Sequence, residues 1–167
     1  MSGTLHLVCG KIAAGKSTLC ARLAEAPGAV LISEDFWLKR LFGDQMESVA
    51  DYVRLASKLR TAMGPHVADL LRAGLDVVLD YPANTAATRA WMRDVAAAAA
   101  APHRLHWLDV DDETCRARLR RRNAEGGHEF AASEADFELI TRYFEAPSPR
   151  EGMNVVRVPD GYWSDRA

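Results

Sequence analysis

The stretch Val8–Leu19, VCGKIAAGKSTL, places two glycines, a lysine and a hydroxyl residue where an apolar run ends. Within it, Gly10-Lys11-Ile12-Ala13-Ala14-Gly15-Lys16-Ser17 fits G-x-x-x-x-G-K-[ST], the spacing of a phosphate-binding loop. Thr4–Cys9 before it reads as a strand and Lys16–Ala26 after it as a helix, which is the context the motif requires. Gly10 and Gly15 permit torsions and close approach that a Cβ would obstruct, so successive N–H groups up to Thr18, those of Ala13 and Ala14 included, can face a polyphosphate. The first turn of the helix adds its own N–H groups and dipole. Lys16 brings a point charge for the β- and γ-phosphates, and the Ser17 hydroxyl is a hard oxygen ligand for Mg²⁺.

Composition bounds the rest of the reading. The chain has 167 residues, 49% hydrophobic and 26% charged, which suits one globular domain over 1–167. A formal charge of −2 gives no global attraction to nucleic acid or to an acidic membrane. Cys9, Cys20 and Cys115 are odd in number and widely spaced, so they form neither a C-x-x-C half-site nor a disulfide framework, and reduced thiols are expected. With no signal-peptide pattern and no apolar run near the roughly 18 residues that span a bilayer, a soluble, cytoplasmic protein is expected. Its oligomeric state is not written in these features.

Five short apolar segments read as strands: Thr4–Cys9, Ala29–Ser33, Asp76–Tyr81, His103–Val110 and Asn154–Val158. Between them, Lys16–Ala26, Glu34–Phe42, Val49–Arg72, Thr85–Ala100, Asp111–Ala124 and Glu134–Glu145 have helical composition, with Gly64-Pro65 expected to break the third in two. Alternation of this kind implies right-handed crossovers and a mainly parallel sheet covered on both faces, an α/β fold. The polar segment Asn123–Asp136, with Gly126-Gly127 in it, reads as a loop ending in a capping box at Ser133-x-x-Asp136.

The chain lacks an N-K-x-D guanine signature, and the third strand ends Asp80-Tyr81-Pro82, without the following Glu that commonly orients water in hydrolytic ATPases. The second strand delivers Ser33, Glu34 and Asp35 at the sheet edge that also carries the phosphate loop. Asp35 suits a base for an acceptor hydroxyl, and Arg40, further along the helix, suits a substrate anion; capping of the helix is the competing role for the acidic pair. Phe36 and Trp37 are expected in the core.

Arg116, Arg118, Arg120, Arg121 and Arg122 crowd one helix end. Arg118 and Arg122, an i, i+4 pair ahead of the glycine-containing loop, are the candidates to contact ATP phosphates from a lid at about 118–135, with Arg122 neutralising charge during transfer; the others are expected to be solvated. A nucleic-acid backbone is the alternative partner for this patch. The five histidines show no metal-ligand spacing and read as structural; Asp109, Asp111 and Asp112 end the fourth strand and cap the next helix.

Taken together, GKIAAGKST, SEDFW, VVLDYPANTAATRAWMRDVA and HRLHWLDVDDETCRARLRRRN followed by FEAPSPREGMNVV resemble the small P-loop kinases grouped as AAA-type ATP-binding proteins, of the zeta-toxin and polynucleotide-kinase-like kind. Similarity to chloramphenicol phosphotransferase and gluconate kinase is confined to the phosphate loop and the Asp of the second strand. The resemblance implies a five-stranded parallel sheet, ATP with Mg²⁺, and phosphoryl transfer to a hydroxyl. It implies that Asp35 matches the catalytic base, working with Lys16 and Arg122, that Asp80 matches the acidic residue near the metal beside Ser17, and that the Arg118–Arg122 region matches the lid. Polynucleotide kinases carry a further basic residue after the R-N pair, where this chain has Ala124-Glu125-Gly126-Gly127. A small-molecule acceptor is therefore expected, with a polynucleotide 5′-hydroxyl or a non-catalytic, ATP-binding regulatory role as alternatives.

Overall fold

The computed structural model describes residues 1–126 and 131–160. Five strands, β1 (Leu5–Cys9), β2 (Ala29–Ser33), β3 (Asp76–Pro82), β4 (His103–Leu108) and β5 (Val155–Val158), form one sheet in the order β2-β3-β1-β4-β5. Every pairing is parallel. Among the described residues, six α-helices accompany them: α1 (Lys16–Leu23), α2 (Glu34–Phe42), α3 (Val49–Arg72), α4 (Ala86–Ala98), α5 (Asp112–Glu125) and α6 (Glu134–Arg142). The expected five-stranded parallel α/β fold is thus present, with α1, α4 and α6 shorter than their composition suggested and α5 shifted by one residue. No helix among the described residues is long and apolar enough to cross a membrane.

Strand alternation divides the core into two layers. Leu5, Leu7 and Cys9 of β1 point to one face with Leu38 of α2, Leu55, Leu59 and Leu71 of α3 and Met92 of α4. Val8 points to the other with Leu19 of α1, Cys115 and Leu119 of α5 and Phe137 of α6. All three cysteines are buried and unbonded to one another. The β1 register with β3 shifts between Leu7 and Val8, so the chain leaves the ladder just before the phosphate loop.

One expectation about α3 fails. The helix runs unbroken for 24 residues with Pro65 inside it. A proline there costs about 3 kcal/mol, yet Leu59 and Met63 before it and Val67, Ala68 and Leu71 after it are all buried in one core. Burying a large aliphatic side chain stabilises by about 1.5–3 kcal/mol, so a break would lose more than the proline costs. Glycine is not required at position 64 by this packing, since a Cβ there would meet Val95 and Trp91 of α4 only at ordinary contact distance.

Candidate active site at the carboxyl edge of the sheet

The phosphate loop lies between β1 and α1. Gly15 has φ 102°, a left-handed torsion that strongly favours glycine, and Ala13 also has positive φ at 61°. A Cβ on Gly10 would lie 3.1 Å from Ala14 Cβ and 3.2 Å from the Leu108 carbonyl oxygen, so the loop is packed against the end of β4. The N-cap of α1 is Gly15 itself, with no side chain bonded to the first-turn N–H groups. Those donors are the raw material of an anion site. Lys16 Nζ donates to the carbonyls of Gly10 at 2.7 Å and Lys11 at 2.8 Å, curling back over the loop. Burial lowers its pKa, because desolvation disfavours the charged ammonium.

Ser17 Oγ donates to Asp80 Oδ1 at 3.4 Å, which brings the two expected metal ligands together. A hydroxyl and a carboxylate are the hard donors that Mg²⁺ takes, alongside nucleotide phosphates and water. Asp80 comes from β3, the strand beside β1. Asp35, in the first turn of α2 after Ser33 caps it by accepting from Phe36 N–H, faces the same edge. Partial burial pushes the Asp35 carboxyl above the usual aspartate range, and the negative charge of Asp80 pushes it further. Capping falls to Ser33, leaving the Asp35 carboxylate available for other work.

Beside Asp35, Glu34 is 1% exposed. Tyr52 of α3 donates to its Oε1 at 2.7 Å, and Arg60 Nε and Nη2 both reach its Oε2 at 3.3 Å. The Arg60 guanidinium also lies 5.7 Å from the Trp91 ring, which stacks on Tyr81. The Tyr81 hydroxyl is buried with no hydrogen-bond partner among the described residues. Sequence reading named Glu34 but missed Tyr52, Arg60 and Tyr81; each lies in an otherwise ordinary helix or strand, and only tertiary packing brings α3 onto α2.

Several expected roles shift. Phe36 is 51% exposed rather than buried, with the Arg40 guanidinium 4.2 Å from its ring centroid; Leu38 occupies the core position, while Trp37 packs against the core as expected. Arg118 donates to Asp160 at 2.6 Å, just beyond β5, and Arg122 is half-buried with Nε unpartnered among the described residues. Arg116 is not simply solvated: it pairs with Glu134 and lies 4.9 Å over the Phe137 ring, fastening α5 to α6. Of the expected lid, residues 127–130 lie outside the described residues; Ser133 and Asp136 do form the capping box of α6. Asp111 caps α5, Asp112 pairs with Lys11, and Asp109 with Arg157. His6 and His106 stack across β1 and β4 with ring nitrogens 3.0 Å apart, a structural pair that spacing within one element could not reveal.

A profile of the AAA domain family matches residues 5–147. Among solved structures, a kinase candidate from Chloroflexus aurantiacus is similar at a TM-score of 0.74 and 21% identity, covering 99% of this chain and 89% of that one. Kti12 of Chaetomium thermophilum, in complex with ADP-AlF3, is similar at 0.69 and 19%, covering 94% and 89%. The APS kinase of Mycobacterium tuberculosis, in complex with AMPPNP and APS, is similar at 0.64 and 21%, covering 96% and 90%. No curated protein gives a significant sequence match. With a phosphate loop after β1, its lysine and serine at the head of α1, and a match over most of its length, the chain belongs to the AAA domain family and has the fold of the P-loop kinases.

Proposed function

We propose that the protein is an ATP-dependent kinase transferring the γ-phosphoryl group to a hydroxyl of a small molecule. The observation that carries this reading is Asp35: a carboxyl in the first turn of α2, just past the end of β2 on the edge that holds the phosphate loop, relieved of capping by Ser33 and raised in pKa by burial and by Asp80. A base with a pKa moved toward neutrality suits removal of a hydroxyl proton better than an ordinary aspartate does. Lys16, now bonded to the Gly10 and Lys11 carbonyls, would supply its charge to the β- and γ-phosphates. Gly10 to Thr18 would supply the backbone cradle, and Ser17 and Asp80 would hold Mg²⁺. When bound, Mg·ATP supplies the phosphoryl group and neutralises charge on it. Asp35 aims the acceptor hydroxyl and takes its proton, and Arg122 meets charge that grows during transfer. The nucleotide complexes of the similar structures support ATP as the ligand of this fold.

The test is acceptor-dependent ADP release from Mg·ATP across sugars, nucleosides, aminoglycosides and 5′-hydroxyl oligonucleotides. Turnover with a small molecule is the expected result. Turnover with the oligonucleotide alone makes the protein a polynucleotide 5′-kinase, and ATP binding without acceptor-stimulated turnover makes it a regulatory ATP-binding module.

A further inference from the structure

The residues between β3 and α4 make contacts that a phosphate-binding motif does not by itself require. Gly10, the first residue of the phosphate loop, donates its N–H to Asn84 Oδ1 at 3.0 Å. The Asn84 carbonyl accepts in turn from the N–H of Glu145 at 2.9 Å. Glu145 lies in the segment 143–154 that joins α6 to β5. One asparagine therefore bonds the loop through its side chain and this joining segment through its backbone.

Arg89 of α4 fastens the joining segment to Ala83, the residue before Asn84. It is fully buried, donates from Nη1 to the carbonyls of Ala83 at 3.0 Å and Glu145 at 2.8 Å, and grips the Glu151 carboxylate with Nε at 2.6 Å and Nη2 at 2.9 Å. Glu145 reaches back to the N–H of Ala86 at 2.7 Å, and Arg93 holds the Glu151 carbonyl at 2.6 Å. Ala83 N–H bonds to the Val8 carbonyl at 3.0 Å. The two residues Ala83 and Asn84 thus stand between the end of β1 and the joining segment, bonded to both.

We propose that Asn84 is a positioning residue that fixes the entry of the phosphate loop and links nucleotide occupancy there to the ordering of the joining segment around Glu145. Gly10 follows directly on β1, so its buried N–H lies beyond the ladder and needs an acceptor, because a buried donor without one is costly. With its first peptide fixed, the loop presents its later N–H groups already aimed, so less reorganisation accompanies anion binding. Such coupling is reciprocal: what steadies Gly10 steadies Asn84, and through it Glu145. The inference rests on the phosphate loop being a nucleotide site and not on any acceptor.

The experiment compares Asn84→Ala with Thr85→Ala in the full chain. Thr85 is the neighbouring residue and caps α4 by accepting from Thr88 N–H, so its variant removes a local hydrogen bond without touching the loop. Calorimetry with Mg·ATP, thermal melting, and hydrogen exchange at the Glu145 amide with and without a non-hydrolysable ATP analogue are read on each. Asn84→Ala is expected to weaken Mg·ATP about 3–10-fold, the effect of one hydrogen bond. Thr85→Ala is expected to lower the melting temperature while keeping the parent's affinity. The analogue is expected to slow exchange at Glu145 in the parent and not in Asn84→Ala. Unchanged affinity in Asn84→Ala, or equal losses in both variants, overturns the positioning role. Exchange at Glu145 that ignores nucleotide in the parent overturns the link, a result readable even if Asn84→Ala does not fold. A parent that binds Mg·ATP but transfers to no acceptor overturns the kinase reading alone; a parent that binds no nucleotide overturns both.

Discussion

The two halves of the carboxyl edge are built by different means. The nucleotide half is mostly backbone from one continuous stretch: the loop from Gly10, two positive-φ residues, and the uncapped first turn of α1. The half proposed to take the acceptor is side chains gathered from afar, with Glu34 and Asp35 of α2 set against Tyr52 and Arg60 of α3, and Tyr81 of β3 beneath. A phosphate is the same in every nucleotide, and a backbone cradle suffices for it. An acceptor varies between enzymes, and variable side chains on a constant frame are how one fold serves many substrates. Asp80 is shared, bonded to Ser17 on one side and raising the pKa of Asp35 on the other.

That division predicts separable defects. The largest is expected from Asp35→Asn, which keeps the shape of the side chain but not its basicity. Acceptor-dependent turnover should fall about 10²–10⁴-fold, with a melting temperature no lower than the parent's and Mg·ATP affinity near it. A variant that melts early but phosphorylates normally would make Asp35 a structural residue and dissolve the distinction.

Lys16→Ala strikes the other half. Losing a charge-assisted hydrogen-bond donor costs about 1.5–3 kcal/mol, so calorimetry should show Mg·ATP affinity falling by roughly one to two orders of magnitude in a folded protein. Equal affinity in variant and parent would remove the nucleotide role from the loop.

Arg60→Ala tests whether the acceptor half has a structural base of its own. It strips the cation from a buried Glu34. Breaking a fully buried pair costs about 3–5 kcal/mol; because Arg60 is partly exposed, about 2 kcal/mol of stability is the expected loss, read by urea unfolding. Mg·ATP affinity should hold. A loss of affinity instead would mean that the two halves are one cooperative unit.

The smallest expected effect is a shift in a pH profile. Asp35 is raised above its unfolded pKa and must be ionised to act, so turnover should fall as pH drops through this raised value. Asp80→Asn removes one cause of the shift, and the acid limb of its residual turnover should move to lower pH. For stability the sign is the same as for any carboxyl raised by folding: Asp35 opposes folding once pH exceeds its unfolded pKa, and Asp35→Asn should remove that penalty. An acid limb unmoved in Asp80→Asn would separate the two carboxylates.

Much of the nucleotide half was legible in the chain because its information is local. Gly10, Gly15, Lys16 and Ser17 form a pattern at fixed spacing, and a strand before and a helix after give it context. Ser133 and Asp136 were legible for the same reason, since a capping box is a four-residue device. The unbroken α3 was not, because the burial that outweighs Pro65 comes from β-strands and α4 rather than from the helix's own neighbours.

By itself the sequence determined the order of strands and helices along the chain, the phosphate loop, and the carboxylates Asp35 just after β2 and Asp80 in β3, all of which follow from periodicity, turn chemistry and short spacings. Only the tertiary structure decided that Asn84 accepts from Gly10 at a separation of 74 residues, that Arg89 and Glu151 pair across 62, and that Tyr52 and Arg60 close on Glu34. Those partners are chosen by how the sheet orders β2-β3-β1-β4-β5 and stacks its helices. A buried polar group must find a partner wherever packing brings one, and packing is a property of the whole chain.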